Sequence, residues 1–150
     1  MTQTLPTTGD EVNGEQQPET MMVEQDLLVN MFMQQARHRV AYDEIYRAKG
    51  LVKPPQGQWG NNNDPGVQAE IRELAGHTIE ELYEAIGLLK NKPWKQTPRA
   101  TDEEEFYREL GDAWHFWLEL MIFAGMTPDL IAKYYFGESK KNEQRREEGY

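Results

Sequence analysis

The chain contains 150 residues, and 26 Asp and Glu outnumber 16 Lys and Arg, so its formal net charge is −10. This length fits one domain, and the acidic balance argues against a nucleic-acid binder, which needs a basic surface. The lack of cysteine excludes disulfides, iron–sulfur clusters and cysteine zinc sites. The sequence has neither a signal-peptide pattern nor a long apolar run, so we expect no membrane span and a cytoplasmic protein.

The N-terminal part of the chain changes character near residue 22. Residues 1–21 are rich in Pro, Gly, Thr, Glu and Gln, and we predict a flexible tail there. Residues 22–150 are predicted to form one all-α domain. The first helix is predicted from Met22 to Lys49, because apolar residues recur at three- and four-residue steps until Gly50 interrupts them.

A loop and a second helix follow. Residues 50–66 have the composition of turns and contain Trp59, which we expect to find an apolar partner elsewhere in the fold. The second helix is predicted over residues 65–89, where apolar residues again follow a helical period. Asp64 and Pro65 are typical of the residues that begin a helix.

The C-terminal half predicts two further helices. Thr101 and Glu104 fit a capping box at the start of the third helix, which is predicted to end near Ala124 before a glycine. Thr127 followed by proline begins the fourth helix, which extends to about Arg146. No segment has the period of a β-strand, so the predicted fold is an all-α bundle of about four main helices.

Two pairs of carboxylates stand out in the second and third helices. Glu81 and Glu84 are spaced i, i+3, as are Glu109 and Asp112, so each pair projects from one helical face. If the two helices are antiparallel neighbours, four carboxylates meet, which is costly unless cations neutralise them. Oxygen ligands favour Mg²⁺ or Mn²⁺. Because apolar and aromatic residues follow Asp112, we predict that its carboxylate is buried.

Other charged residues have simpler interpretations. Four acids are interpreted as surface residues that form salt bridges along a helix: Glu103, Glu104, Glu105 and Glu119. Two basic segments, residues 90–95 and 140–146, favour phosphate recognition near a metal site, although cations at the end of the last helix also complement its dipole.

The ordered motifs resemble a known family. Residues 80–84 read EExxE, residues 109–112 read ExxD after a gap of 24 residues, and residues 142–150 read NxxRxxxGY. This set resembles the signature of the all-α nucleoside triphosphate pyrophosphatases, the MazG-like proteins and dimeric dUTPases, over residues 22–150. The resemblance implies hydrolysis of a nucleoside triphosphate to a nucleoside monophosphate and diphosphate, in a homodimer or homotetramer whose site can draw on two chains.

The resemblance also implies roles for individual residues. Two or three Mg²⁺ ions, with Mn²⁺ able to substitute, would be held by the four carboxylates, while Glu80 would orient or deprotonate the attacking water. The implied phosphate contacts are Lys95, Lys141, Asn142, Arg145 and Tyr150. The implied base contacts are Gln34, Gln35, His38 and Trp59. The base stays open between uracil and a purine, so the expected substrate is dUTP, dGTP or dATP.

Two other functions stay open from the residues alone. The stripe of Trp114, Trp117, Leu118, Met121 and Ile122 would also suit a non-enzymatic adaptor that binds a partner protein. A di-iron carboxylate bundle needs two Glu-x-x-His repeats, and the chain offers one near match, Asp112-x-x-His115. We therefore interpret His115 as a core histidine or one that supports a metal ligand. Neither alternative involves nucleic acid or a membrane.

Overall fold

The computed structural model describes residues 27–149, and within that range the fold is all-α, as predicted. Its four helices are α1 (Leu27–Ala48), α2 (Pro65–Leu88), α3 (Glu103–Phe123) and α4 (Pro128–Glu147), with a short 3₁₀ turn at Gln56–Gln58. The predicted ends agree with the observed ones to within about two residues. The predicted tail, the predicted start of α1 at Met22 and the phosphate candidate Tyr150 lie outside the described residues, so the domain boundary stays a prediction.

Glycines end α1 and α3 in the same way. Gly50 and Gly125 have φ angles of 73° and 76°, a left-handed conformation that costs glycine little. The amide that follows each glycine donates to the carbonyl five residues earlier, from Leu51 to Tyr46 and from Met126 to Met121. This arrangement satisfies carbonyls that the helix end leaves without partners, and it reverses the chain sharply.

Side-chain caps begin the other helices. The Asp64 carboxylate accepts a hydrogen bond from the Val67 amide at 2.9 Å, and the Thr127 hydroxyl accepts from Leu130 at 3.3 Å, as predicted. The predicted cap of α3 was one residue early: Asp102, rather than Thr101, accepts from the Glu105 amide. A carboxylate at this position caps well and favours the positive end of the helix dipole.

The antiparallel pair α2 and α3 forms the centre of the fold. The two helices make the most extensive contact of the described chain, while α1 packs on α3 and α4 on α1. Trp59 from the loop packs its ring on Phe123, with centroids 5.0 Å apart, which confirms the expected apolar partner. The buried apolar residues are Val67, Leu74, Ala85, Ala113, Leu118, Met121, Ile122 and Phe123.

Large apolar side chains remain exposed on one face of the α2–α3 pair. An open groove of about 400 Å³ runs between these helices, and Trp114 and Trp117, which line it, are 42% and 44% exposed. Such a continuous apolar surface is unusual for a protein that stays monomeric. None of the helices within residues 27–149 has both the length and the apolar character that crossing a bilayer requires.

Candidate metal centre and adjoining cavity

Three carboxylates from α2 and α3 converge. Glu81, Glu109 and Asp112 each offer one oxygen, and these oxygens all lie within 4.8 Å of one another. The antiparallel packing creates this arrangement because it places the acidic turn of α2 beside the acidic turn of α3. Oxygens at this spacing can share one divalent ion, whose ligand distances are about 2.0–2.6 Å. The cluster can therefore hold a metal ion.

The carboxylates of the cluster repel one another. Loss of hydration raises the pKa of Glu109, and repulsion by Glu84, Glu105 and Glu81 raises it further. Glu84 is thus close enough to act on Glu109, although its oxygens do not belong to the converging set. A bound cation would relieve this repulsion.

The expectation that Asp112 is buried was wrong, and the structure excludes one of the two interpretations of His115. The Asp112 side chain is 49% exposed rather than buried, because the nearby Trp114 and Trp117 line the groove on another face of α3. His115 is not a core residue either, since its side chain is 62% exposed. Its Nδ1 lies 3.6 Å from an Asp112 oxygen, so it can still support that carboxylate.

A cavity adjoins the cluster between α1, α2 and α3. It encloses about 410 Å³, and Asp112 lines one part of it. All three histidines of the chain line it as well. The His77 ring packs on Phe116 with centroids 5.1 Å apart, and Glu80 lies 2.9 Å from His77 Nδ1. The aromatic lining residues are His38, Tyr42, Tyr46, His77, His115 and Phe116.

A buried ionic network forms another part of the cavity lining. Arg39 is 2% exposed, and its Nη1 lies 3.1 Å from oxygens of both Glu70 and Glu119. Gln35 Nε2 donates to the second Glu119 oxygen at 2.9 Å. The Arg39 guanidinium also lies over the ring of Phe123, 4.8 Å from its centroid. Burial raises the pKa of Glu119 more than the positive charge of Arg39 and the hydrogen bonds from Gln35 and Arg39 lower it.

The network reverses one sequence interpretation. Glu119 was expected at the surface, whereas it is buried and paired with α1. By contrast, Glu104 and Glu105 form the predicted surface salt bridges, both with Arg108. The sequence spacing could have indicated that Glu119 belongs to the site, because it lies two turns after Asp112 on the same face of α3.

Lys53 extends the network beyond the cavity lining, through two of the lining carboxylates. Its Nζ lies 2.9 Å from Glu70 and 2.8 Å from Glu73. Burial acts to lower the pKa of Lys53, but its hydrogen bonds to both carboxylates outweigh this and raise it. The hydrogen bond from Lys53 in turn lowers the pKa of Glu73. Lys53 therefore compensates the charges of Glu70 and Glu73, whereas the acids of the carboxylate cluster repel one another.

Comparison with known proteins agrees with this chemistry. Over 112 residues, the chain is 29% identical to a protein named dCTP pyrophosphatase from Enterobacteria phage LZ5. The chain is thus similar to a phage nucleotide pyrophosphatase. The match covers 61% of this chain and 60% of the relative, so the chain spans about three-fifths of the relative's length. No protein-family model matches the chain, and no solved structure gives a significant match.

The residues expected to contact phosphate lie on other elements. Lys95 is exposed in the loop between α2 and α3, whereas Lys141, Asn142 and Arg145 are exposed on α4. Lys141 pairs with Glu138 on its own helix, and Arg145 acts on the same glutamate, whose pKa these cations lower. Among the ion pairs within residues 27–149, none joins Lys95 or Lys141 to the carboxylate cluster.

The residues expected to contact the base divide into two groups. Gln35 and His38 line the cavity, whereas Gln34 is exposed and lines, together with Gln35 and His38, only a smaller pocket of about 120 Å³ beside Trp114. Trp59 packs on Phe123 and donates to the Pro54 carbonyl at 3.2 Å, so it serves the core of the fold. Sequence reasoning had not singled out other polar lining residues, namely Arg39, Glu70 and His77.

Proposed function

We propose that this chain is a divalent-metal-dependent nucleoside triphosphate pyrophosphohydrolase. One observation carries the proposal: Asp112 belongs both to the carboxylate cluster and to the lining of the cavity. A nucleotide would then place its phosphates at the cluster and its nucleoside in the cavity. The similarity to a phage dCTP pyrophosphatase supports the same activity. Such a protein would act on the cytoplasmic nucleotide pool.

The proposed metal ligands are Glu81, Glu109 and Asp112, with Glu84 beside them. Carboxylate oxygens without nitrogen or sulfur donors suit Mg²⁺, with Mn²⁺ as a substitute, and two or three ions would balance the charge of the cluster. When bound, a divalent ion neutralises charge on phosphate oxygens and acidifies a water molecule. The repulsion at Glu109 means that the protein itself favours cation uptake.

The reaction needs a base for the attacking water. Glu80 is exposed, precedes the proposed ligand Glu81 and shares a hydrogen bond with His77, so we assign it this role. The water oxygen forms a bond to the α-phosphorus, its proton passes to Glu80, and the bond from that phosphorus to the bridging oxygen breaks. Nucleoside monophosphate and diphosphate leave, and no covalent intermediate with the protein is required.

We propose dCTP as the substrate. The sequence had left uracil and purines open, whereas the relative is named for a cytosine nucleotide. In the cavity, a base could stack between side chains such as Phe116 and Tyr42.

We further propose that the active form is a homodimer or homotetramer. The exposed groove between α2 and α3 has a nearly apolar lining that a second copy would cover. Phosphate contacts by Lys95, Lys141, Asn142, Arg145 and Tyr150 would then come from whichever chain brings them to the cluster. Sedimentation equilibrium of wild type and of Trp117→Glu tests this, and a wild-type monomer would contradict it.

The decisive experiment is a substrate panel. Each deoxynucleotide triphosphate, dUTP and each ribonucleotide triphosphate is incubated with the protein and Mg²⁺ or Mn²⁺, and the products are resolved by chromatography. We expect dCMP and diphosphate from dCTP, no turnover with EDTA, and full activity in the matched surface variant Glu104→Gln. Release of orthophosphate, or no hydrolysis of any nucleotide, would refute the proposal.

A further inference from the structure

Arg39, which lines the cavity, carries a buried hydrogen-bond donor that the protein does not satisfy. Among residues 27–149, three buried polar atoms have no hydrogen-bond partner: Arg39 Nη2, Arg39 Nε and one Asp43 oxygen. The last two lie 3.4 Å apart as an ion pair, which leaves Nη2 as the donor without a partner. Only 2% of the Arg39 surface is exposed, and the residue lines the cavity. An unsatisfied buried donor on a guanidinium is costly and calls for a partner.

Beside this donor lies an acceptor with spare capacity. A carboxylate offers about four lone-pair sites, and the protein uses two of those on Glu119, one through Gln35 and one through Arg39. Because Gln35 donates its amide nitrogen to Glu119, its carbonyl oxygen is left as a further acceptor. The cavity lining therefore combines a carboxylate that can accept with a guanidinium that can donate.

The register of α3 relates this pair to the metal centre. Glu119 follows Asp112 by seven residues, which corresponds to about 10 Å along a helix. Both residues line the same cavity. This separation is comparable with that between the α-phosphate of a nucleotide and the hydrogen-bonding edge of its base.

We infer that Glu119, held between Gln35 and Arg39, selects a base that carries an exocyclic amine beside an unprotonated ring nitrogen; this rests on the proposed function of the site. The amine donates to the Glu119 carboxylate, and Arg39 donates to the ring nitrogen. Cytosine and adenine have such an edge, whereas uracil and hypoxanthine place a carbonyl oxygen against the carboxylate, which repels it. Discrimination of this kind is worth about tenfold to a hundredfold in affinity.

Binding of the monophosphate products tests the inference without turnover. Isothermal titration of wild type in Mn²⁺ compares dCMP with dUMP and dAMP with dIMP, pairs that differ at the amine position. We expect at least about tenfold tighter binding of the amino member of one pair, and that pair identifies the base. Glu119→Gln should bring the two affinities within about threefold of each other, whereas Glu104→Gln on the same helix should keep the wild-type ratio.

Glu119→Asp keeps the test usable if the amide variant does not fold. It retains the charge but withdraws the carboxylate by one methylene, so binding of the amino base should weaken while the direction of preference stays. Equal wild-type affinities within both pairs, or an unchanged ratio in Glu119→Gln, would overturn the inference. Selective binding without hydrolysis of any triphosphate would refute the proposed function and leave the inference standing.

Discussion

Two charged regions of the α2–α3 pair solve the same electrostatic problem in opposite ways. At the carboxylate cluster, Glu81, Glu109 and Asp112 bring like charges together in partly exposed positions. About two turns away, Arg39 compensates Glu70 and Glu119 within the protein, where all three side chains are buried. A cation that compensates the first region would come from solution, whereas the second region contains its own in Arg39.

The difference indicates what each region can do. Repulsion among clustered acids lowers the free energy of unfolding of the metal-free protein, and binding of a cation restores it. Such a cluster is therefore suited to function rather than to stability. A compensated buried network holds α1 against α2 and α3. Removing one partner alone is expected to cost far more stability than the whole network contributes, because it leaves a buried charge without compensation.

The largest effect is expected from Arg39→Met. The substitution fills similar volume but leaves Glu70 and Glu119 buried without their shared cation, which costs about 3–5 kcal/mol of unfolding free energy. Urea denaturation measures this loss. Arg108→Met is the matched control, because its partners Glu104 and Glu105 are solvated, and it should cost less than about 1 kcal/mol. Equal effects would mean that burial of the network carries no energetic weight.

Asp112→Asn should show the opposite pattern. Removing one of the repelling charges should leave the metal-free stability equal to or above that of wild type, while turnover falls at least about 100-fold because a ligand is lost. The thermal shift caused by Mn²⁺ should fall in parallel. Glu84→Gln should have a smaller effect on both, because Glu84 lies beside the converging oxygens rather than among them. An unchanged Mn²⁺ shift in Asp112→Asn would remove it from the metal site.

These two regions also differ in how far the sequence predicted them. The i, i+3 spacing on antiparallel helices predicted that four carboxylates meet, and three of them, Glu81, Glu109 and Asp112, converge while Glu84 lies beside them. The network could not be found in this way. Arg39 and Glu119 are 80 residues apart, and an isolated acid on a helix looks the same whether it faces water or an arginine on another helix. Aromatic neighbours in sequence likewise misplaced Asp112, since adjacent helical residues point to different faces.

The pH dependence of stability should separate the regions. The folded pKa values of Glu109 and Glu119 both lie above their ordinary value of 4.5. Each therefore contributes stability that is present below about 4.5 and lost as the pH rises through its folded pKa. Mn²⁺ competes with protons at Glu109, so it should reverse that part of the trend and leave the part from Glu119 unchanged.

Urea midpoints measured from about pH 4.5 to about pH 7.5, with and without Mn²⁺, test this in Glu109→Gln and Glu119→Gln. The first variant should lose the Mn²⁺-dependent part of the profile and the second the Mn²⁺-independent part. A profile that Mn²⁺ changes equally in both variants would contradict the separation of the two regions.

The smallest effect is expected from Lys53→Met, which tests whether compensation depends on Arg39 itself or on total positive charge. Lys53 contacts Glu70 and Glu73, but Glu70 keeps its contact with Arg39 when Lys53 is removed. The loss should therefore be about 1 kcal/mol by urea denaturation, with Mn²⁺ binding unchanged. Glu73→Gln, whose side chain is 53% exposed, should cost less still. A loss in Lys53→Met as large as that in Arg39→Met would show that summed charge, rather than the contacts of one guanidinium, stabilises the buried acids.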